Sequence, residues 1–146
     1  MREEDTRSVL IADRHHRLSE GIRGLLETSF DVVVMVADEL SLLTTIRQLM
    51  VDLVVMDLSL SRSSDGLALV QRLHKGFPGT KLIVLSVHDE RPVCDAILAA
   101  GADGFVVKHS IVSDLLSAVD AVLSGGRYIS PAISCSAIGT EGPNQA

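Results

Sequence analysis

The sequence predicts an α/β domain in which five parallel strands alternate with five helices that cover both faces of the sheet. Three observations predict it. Short, nearly continuous apolar runs recur along the chain, as expected of parallel strands buried on both faces. Between them lie stretches whose apolar residues repeat near every 3.6 positions, the period of a one-sided helix. The whole fits in 146 residues, enough to bury a core as one domain.

The elements follow in order. The first run, Val9–Ala12, precedes a helical stripe of Leu18, Ile22, Leu25 and Leu26. The second, Val32–Val36, is followed by Asp38 and Glu39, whose charge suits a helix start, and then by Leu42, Ile46 and Leu49. Leu53–Met56 leads to Leu69, Val70 and Leu73, and the Phe77-Pro78-Gly79 break ends that helix before Leu82–Leu85. Val93, Ala96, Ile97 and Ala100 make the fourth stripe, with Gly101 where a helix end favours a left-handed residue. Phe105–Val107 then passes through Ser110, read as an N-cap, into Val112, Leu115, Leu116, Val119, Val122 and Leu123, with Gly125 beyond.

Right-handed crossovers leave few ways to connect five such units, and the expected one is the flavodoxin-like (βα)5 doubly wound sheet, strand order 2-1-3-4-5. Its winding reverses between strands 1 and 3, opening a crevice at their carboxyl ends. The pattern stops after Gly126. Residues 1–126 are therefore read as the domain, and 127–146, RYISPAISCSAIGTEGPNQA, as a linker or tail too short for a helix-turn-helix.

Composition narrows the function. Hydrophobic residues are 47% and charged residues 22%, as in a globular domain. No apolar run nears the roughly 20 residues that span a bilayer, and the start MREEDTRS lacks the features of a signal peptide. Cys94 and Cys135 form no CxxC or Cys/His cluster, so reduced thiols in the cytoplasm are expected. A net charge of -6, no Trp and a single Tyr argue against nucleic-acid binding through this segment.

The polar residues at the strand ends carry the chemistry. Asp13 follows strand 1 and Asp57 follows strand 3, which places two carboxylates side by side at the crevice. Ser86 and Lys108 follow strands 4 and 5 and close it from the other side. Any one of these residues is ordinary at its position; the set is not. Carboxylate oxygens suit Mg²⁺, a hydroxyl and an ammonium suit a phosphoryl group, and Asp57 would be the nucleophile.

The segments VLIADRHHRLSEGIRGLLE, DLVVMDLSLSRSSDGLALVQRL, LIVLSVHDE and AAGADGFVVK resemble the receiver domain of two-component response regulators. The ending GGRYISP is similar to the NarL/FixJ class of transcriptional regulators. The resemblance covers about residues 7–131. It implies Asp57 as phosphoacceptor, Asp13 as a metal-binding acid, Ser86 as the switch hydroxyl, Lys108 as the invariant-type lysine and Phe105 as the aromatic switch position. Ser59 falls where a backbone carbonyl would meet the metal. The resemblance further implies a sensor histidine kinase as partner, a homodimer through a face near helices 4 and 5 or helix 1, and DNA only through an output domain absent from this segment. The surface that responds would be about residues 90–124.

Two departures stand out. The family's second acidic residue after strand 1 is Arg14 here, leaving Asp13, Arg14, Asp57 and Lys108 formally neutral together. Weak Mg²⁺ binding and slow phosphorylation are expected, or Arg14 stands in for the metal by contacting Asp57 or its phosphate. The alternative function is thus a receiver-like interaction module that works without phosphorylation. The loop after Asp57 has Ser61 in place of the usual proline and is one residue longer, read as a tolerated insertion. His15 and His16, adjacent at the mouth of helix 1 with a carboxylate nearby, offer a phosphohistidine or metal role but are read instead as solvent-facing helix-entry residues. An enzyme is not expected. An aspartyl-nucleophile phosphatase commonly has a second Asp where Ser59 stands, and ADRHHR offers no flavin-phosphate cradle.

Overall fold

The computed structural model describes residues 6–60 and 66–133. Ser61 and Cys135 lie outside the described residues. The elements run β1 (Ser8–Ala12), α1 (His16–Leu26), β2 (Val32–Val36), α2 (Glu39–Leu49), β3 (Leu53–Asp57), α3 (Gly66–Gly76), β4 (Lys81–Ser86), α4 (Arg91–Ala99), β5 (Gly104–Val107), one 3₁₀ turn (Lys108–Ser110), α5 (Ile111–Leu123) and β6 (Tyr128–Ile129).

All pairings are parallel and the sheet order is β2-β1-β3-β4-β5-β6. The expected five-strand order is present, with one strand added at the β5 edge. In sequence that strand reads as tail because two residues, Tyr128 and Ile129, are too few to carry a periodic signal.

Strand side chains alternate between two cores, because successive residues point to opposite faces. Leu10, Ala12, Val54, Met56 and Val84 pack with residues of α2, α3 and α4. Val9, Ile11, Leu53, Val55 and Ile83 pack with Ile22 and Leu26 of α1 and with α5. This split is the double winding itself. The central strands β1 and β3 are buried nearly throughout, whereas β2, at the edge, is only partly covered, and Val32 is exposed. Even there both faces are partly covered, Val34 and Val36 packing against one core and Val33 and Met35 against the other, since helices reach less far over an edge strand.

Helix ends largely follow the sequence reading. The Asp38 carboxylate accepts from the Ser41 backbone N–H at 2.7 Å and caps α2. Gly101 takes φ +124°, and a Cβ there would collide with the His74 ring. Ser110 stands at the N-cap of α5 but does not cap it. Its hydroxyl donates instead to Asp114 at 2.8 Å. Within the predicted stripe of α5, Val112 is 82% exposed and so lies outside the core. Among the described residues no helix is long and apolar enough to cross a membrane.

Candidate functional site

Register sets the site. Ala12 pairs with Met56, so Asp13 and Asp57 leave their strands at the same level. Asp57 pairs with Leu85, and Ser86 with Val107, which brings Ser86 and Lys108 to the same end of the sheet. Asp57 and Ser86 turn out to be the last residues of their strands rather than the first beyond them.

Lys108 Nζ lies 3.1 Å from Asp57 Oδ1 and 3.3 Å from Asp13 Oδ2. The side chain of Asp13 is wholly buried and that of Asp57 is 3% exposed, while Lys108 keeps 12%. Two carboxylates brought together in so little water need a cation; among the described residues, Lys108 is the cation that contacts both. Asp13 Oδ2 has no hydrogen-bond partner, so its contact with Lys108 is ionic only.

The other Asp57 oxygen, Oδ2, accepts from the Ser59 hydroxyl at 2.8 Å. Ser59 therefore engages through its side chain, beyond the carbonyl role that the resemblance implied. Asp57, Leu58, Ser59, Ser86, Val87 and His88 line one open cleft. Ser86 Oγ accepts from the His88 backbone N–H at 2.9 Å, which leaves its own hydroxyl hydrogen uncommitted. Gly66, at the start of α3, sits so close to the Leu58 carbonyl that no Cβ fits between them. The backbone just after Asp57 is thereby pinned to α3.

Phe105 is fully buried on the α4 side of β5, packed in the first of the two cores. Arg14 is half-buried and its Nε has no partner. Among the described residues no ion pair joins it to Asp13 or Asp57. Lys108 already occupies the position between the two acids.

Two features go beyond the preferred sequence reading. The His15 ring, expected to face solvent, is 59% exposed, yet its Nδ1 lies 2.9 Å from Asp13 Oδ1. The backbone N–H of His15 donates to the same oxygen at 2.8 Å, and this turn swings the ring back over the acid. The Asp-x-His spacing was the available signal. His16, by contrast, is exposed as expected and lies 3.5 Å from Glu20.

The second feature is a buried network at the start of α5. Asp114 accepts from the hydroxyls of Ser130 at 2.6 Å and Ser110 at 2.8 Å. Ser130 Oγ in turn accepts from the Val107 backbone N–H at 3.0 Å. Burial works to raise the Asp114 carboxyl pKa, but the donors Ser130, Ser110, Tyr128 and Ser113 outweigh it and hold the carboxyl below its ordinary range. Burial and the charge of Asp114 push the Tyr128 hydroxyl up. Because Asp114 and Ser130 are 16 residues apart, no local pattern announces the pairing.

The family model of the response regulator receiver domain matches residues 9–120. The chain is 30% identical over 132 residues to the oxygen regulatory protein NreC of Staphylococcus carnosus, covering 89% of this chain and 61% of that protein. It spans about three fifths of the length of the curated relatives it matches. A solved two-component response regulator of the LuxR family from Aurantimonas sp. SI85-9A1 superposes with a TM-score of 0.79 at 28% identity, covering 88% of this chain and 92% of that one. The isolated receiver domain of RcsB from Salmonella enterica serovar Typhimurium, solved with the phosphomimetic BeF3-, gives 0.78 at 26% identity, covering 88% and 96%.

Proposed function

The chain belongs to the response regulator receiver domain family, of the NarL/LuxR type, and from that premise we propose that it accepts a phosphoryl group on Asp57 and thereby switches an interaction surface. The observation that carries this reading is the bridge from Lys108 to Asp57 and Asp13 at 3.1 and 3.3 Å, beside an open cleft that Asp57 helps to line.

Transfer would come from a phosphohistidine of a sensor kinase. An Asp57 carboxylate oxygen bonds to phosphorus as the phosphorus–nitrogen bond breaks, giving an acyl phosphate and a free imidazole. Lys108 then offsets charge on the phosphoryl oxygens from within 12% exposure, where screening is weak. Asp13, Asp57 and the Ser59 carbonyl would hold Mg²⁺, which when bound neutralises part of the charge on the transferring group. The buried Asp13 Oδ2, which has no hydrogen-bond partner, fits that role.

Ser86 supplies the switch. Its uncommitted hydroxyl hydrogen can be donated to a phosphoryl oxygen, and the required turn of Ser86 releases His88 from its hydrogen bond. That rearrangement passes to Phe105 on the neighbouring strand and to the surface of α4, β5 and α5. A phosphoryl group adds nearly two negative charges, and such a change biases pre-existing arrangements that a partner reads.

The domain acts in the cytoplasm as a regulatory rather than catalytic unit. In the full-length protein a DNA-binding output domain would accompany it, homodimerisation would couple two such chains, and the whole would regulate transcription. Incubation with acetyl phosphate, with and without Mg²⁺, followed by intact mass measurement tests the core of this reading. One added phosphoryl group is expected, lost in Asp57→Asn. No adduct under either condition would overturn it and favour an interaction module that works without phosphorylation.

A further inference from the structure

We propose that His15 turns the acidic cleft into a mixed nitrogen and oxygen cation site, selecting a first-row transition ion over Mg²⁺. The proposal rests on the reading that Asp13 and Asp57 flank a cation, and adds a third ligand and a class of metal to it.

His15 Nδ1 and the carboxylates of Asp13 and Asp57 each offer one atom, and all three atoms lie within 4.8 Å of one another. Nδ1 and Asp13 Oδ1 are 2.9 Å apart. Adjacent ligands around a small divalent ion stand about 3 Å apart when each bond is about 2.1 Å and the angle is a right angle. The ring is aimed at the acid and not at the helix it precedes, since His15, at the N-cap of α1, makes no side-chain capping bond. Asp13 points into the same cluster with its side chain wholly buried; its Oδ2 accepts no hydrogen bond and has only the Lys108 ammonium at 3.3 Å for charge.

The position that would have brought a second hard oxygen beside Asp13 is Arg14, which offers no lone pair. The ligating groups of the cluster are then two carboxylates and an imidazole, with the Lys108 ammonium beside the acids. Mg²⁺ prefers oxygen donors, whereas imidazole suits ions such as Co²⁺, Ni²⁺ and Zn²⁺. In His15 the ring proton can reside on Nε2, freeing the Nδ1 lone pair for the ion. The ring and its backbone N–H share Asp13 Oδ1 in the structure, so the ion would take the place of the Nδ1 proton without moving the backbone.

The test uses the whole chain. Co²⁺ is titrated while its visible absorption is followed, and Mg²⁺ and Co²⁺ affinities are measured by calorimetry. Any oxygen site binds Co²⁺ somewhat better than Mg²⁺, so the deciding quantity is how each ion depends on His15. His15→Ala is expected to weaken Co²⁺ by roughly tenfold or more and to change its absorption bands, while Mg²⁺ shifts by about twofold at most. His15→Asn, which keeps a donor toward Asp13 but has no ring nitrogen, should behave alike; His16→Ala should leave Co²⁺ unchanged. Retention of the Co²⁺ affinity and spectrum in both His15 variants would overturn the proposal and leave His15 as a hydrogen-bonding partner of Asp13. Equal loss of Mg²⁺ and Co²⁺ in those variants would also overturn the selectivity. If Asp57→Asn altered neither ion, the underlying two-carboxylate site would fail instead, a separate result.

Discussion

Lys108 reaches across from the end of β5 so that its ammonium stands between Asp13 and Asp57, 3.3 and 3.1 Å from an oxygen of each. One cation thus serves two acids that share almost no water. Removing it strands both charges, and breaking a buried pair from one side costs about 3 kcal/mol or more. Lys108→Ala is expected to lower the melting temperature in the presence of a chelator and to recover part of the loss when a divalent cation is added. Equal melting with and without cation would show that the acids find other relief.

Arg14→Asp should strengthen cation binding. It replaces a positive group next to Asp13 with a second carboxylate, and tenfold tighter Mg²⁺ corresponds to about 1.4 kcal/mol. Calorimetric Mg²⁺ titration checks this, with the rate of acetyl phosphate labelling rising in parallel. No change in either would mean that Arg14 does not govern the cleft.

Gly66→Ala should destabilise the domain by about 3 kcal/mol, since the added carbon meets the Leu58 carbonyl, a backbone atom that cannot swing aside. The strain falls next to Asp57, so slower phosphoryl labelling should accompany the lower denaturant midpoint.

Ser130→Ala removes a hydroxyl that both accepts from the Val107 N–H and donates to Asp114. A buried donor left unpaired costs about 1–3 kcal/mol. The expected readouts are a lower unfolding free energy and faster hydrogen exchange at the Val107 amide.

The same network sets a pH dependence. The Asp114 carboxyl is held below its ordinary range, despite burial, by Ser130, Ser110, Tyr128 and Ser113. A depressed folded value means the carboxylate contributes stability above the unfolded-state pKa, about 4, and loses it as pH falls through the lower folded value. Asp114→Asn should therefore be less stable than the natural chain at neutral pH, and the gap should close as pH falls below about 4. Unfolding curves from about pH 3 to about pH 7 measure it.

The fold was legible wherever a signal was local and repeated. A run such as Leu53–Met56 is apolar at every position because both faces of β3 are covered, and that is visible in one dimension. Asp13, Asp57, Ser86 and Lys108 could be placed because a strand end fixes position to within a residue. His15 could not, since its ring orientation is decided by the turn that Asp13 imposes on its backbone. Val112 departs from its stripe for a related reason: a helical stripe gives a face, and the margin of that face depends on what packs beside it. The Asp114–Ser130 contact joins segments whose approach only the folded sheet defines.

β6 adds its two residues in parallel to β5, pairing Gly104 with Tyr128 and Phe105 with Ile129. The polypeptide beyond α5 is thus clamped like a lever at its fulcrum, on the strand that bears the buried aromatic ring. Ser130, whose backbone N–H donates to the Phe105 carbonyl, and the buried Ile133 extend that grip to the end of the described residues.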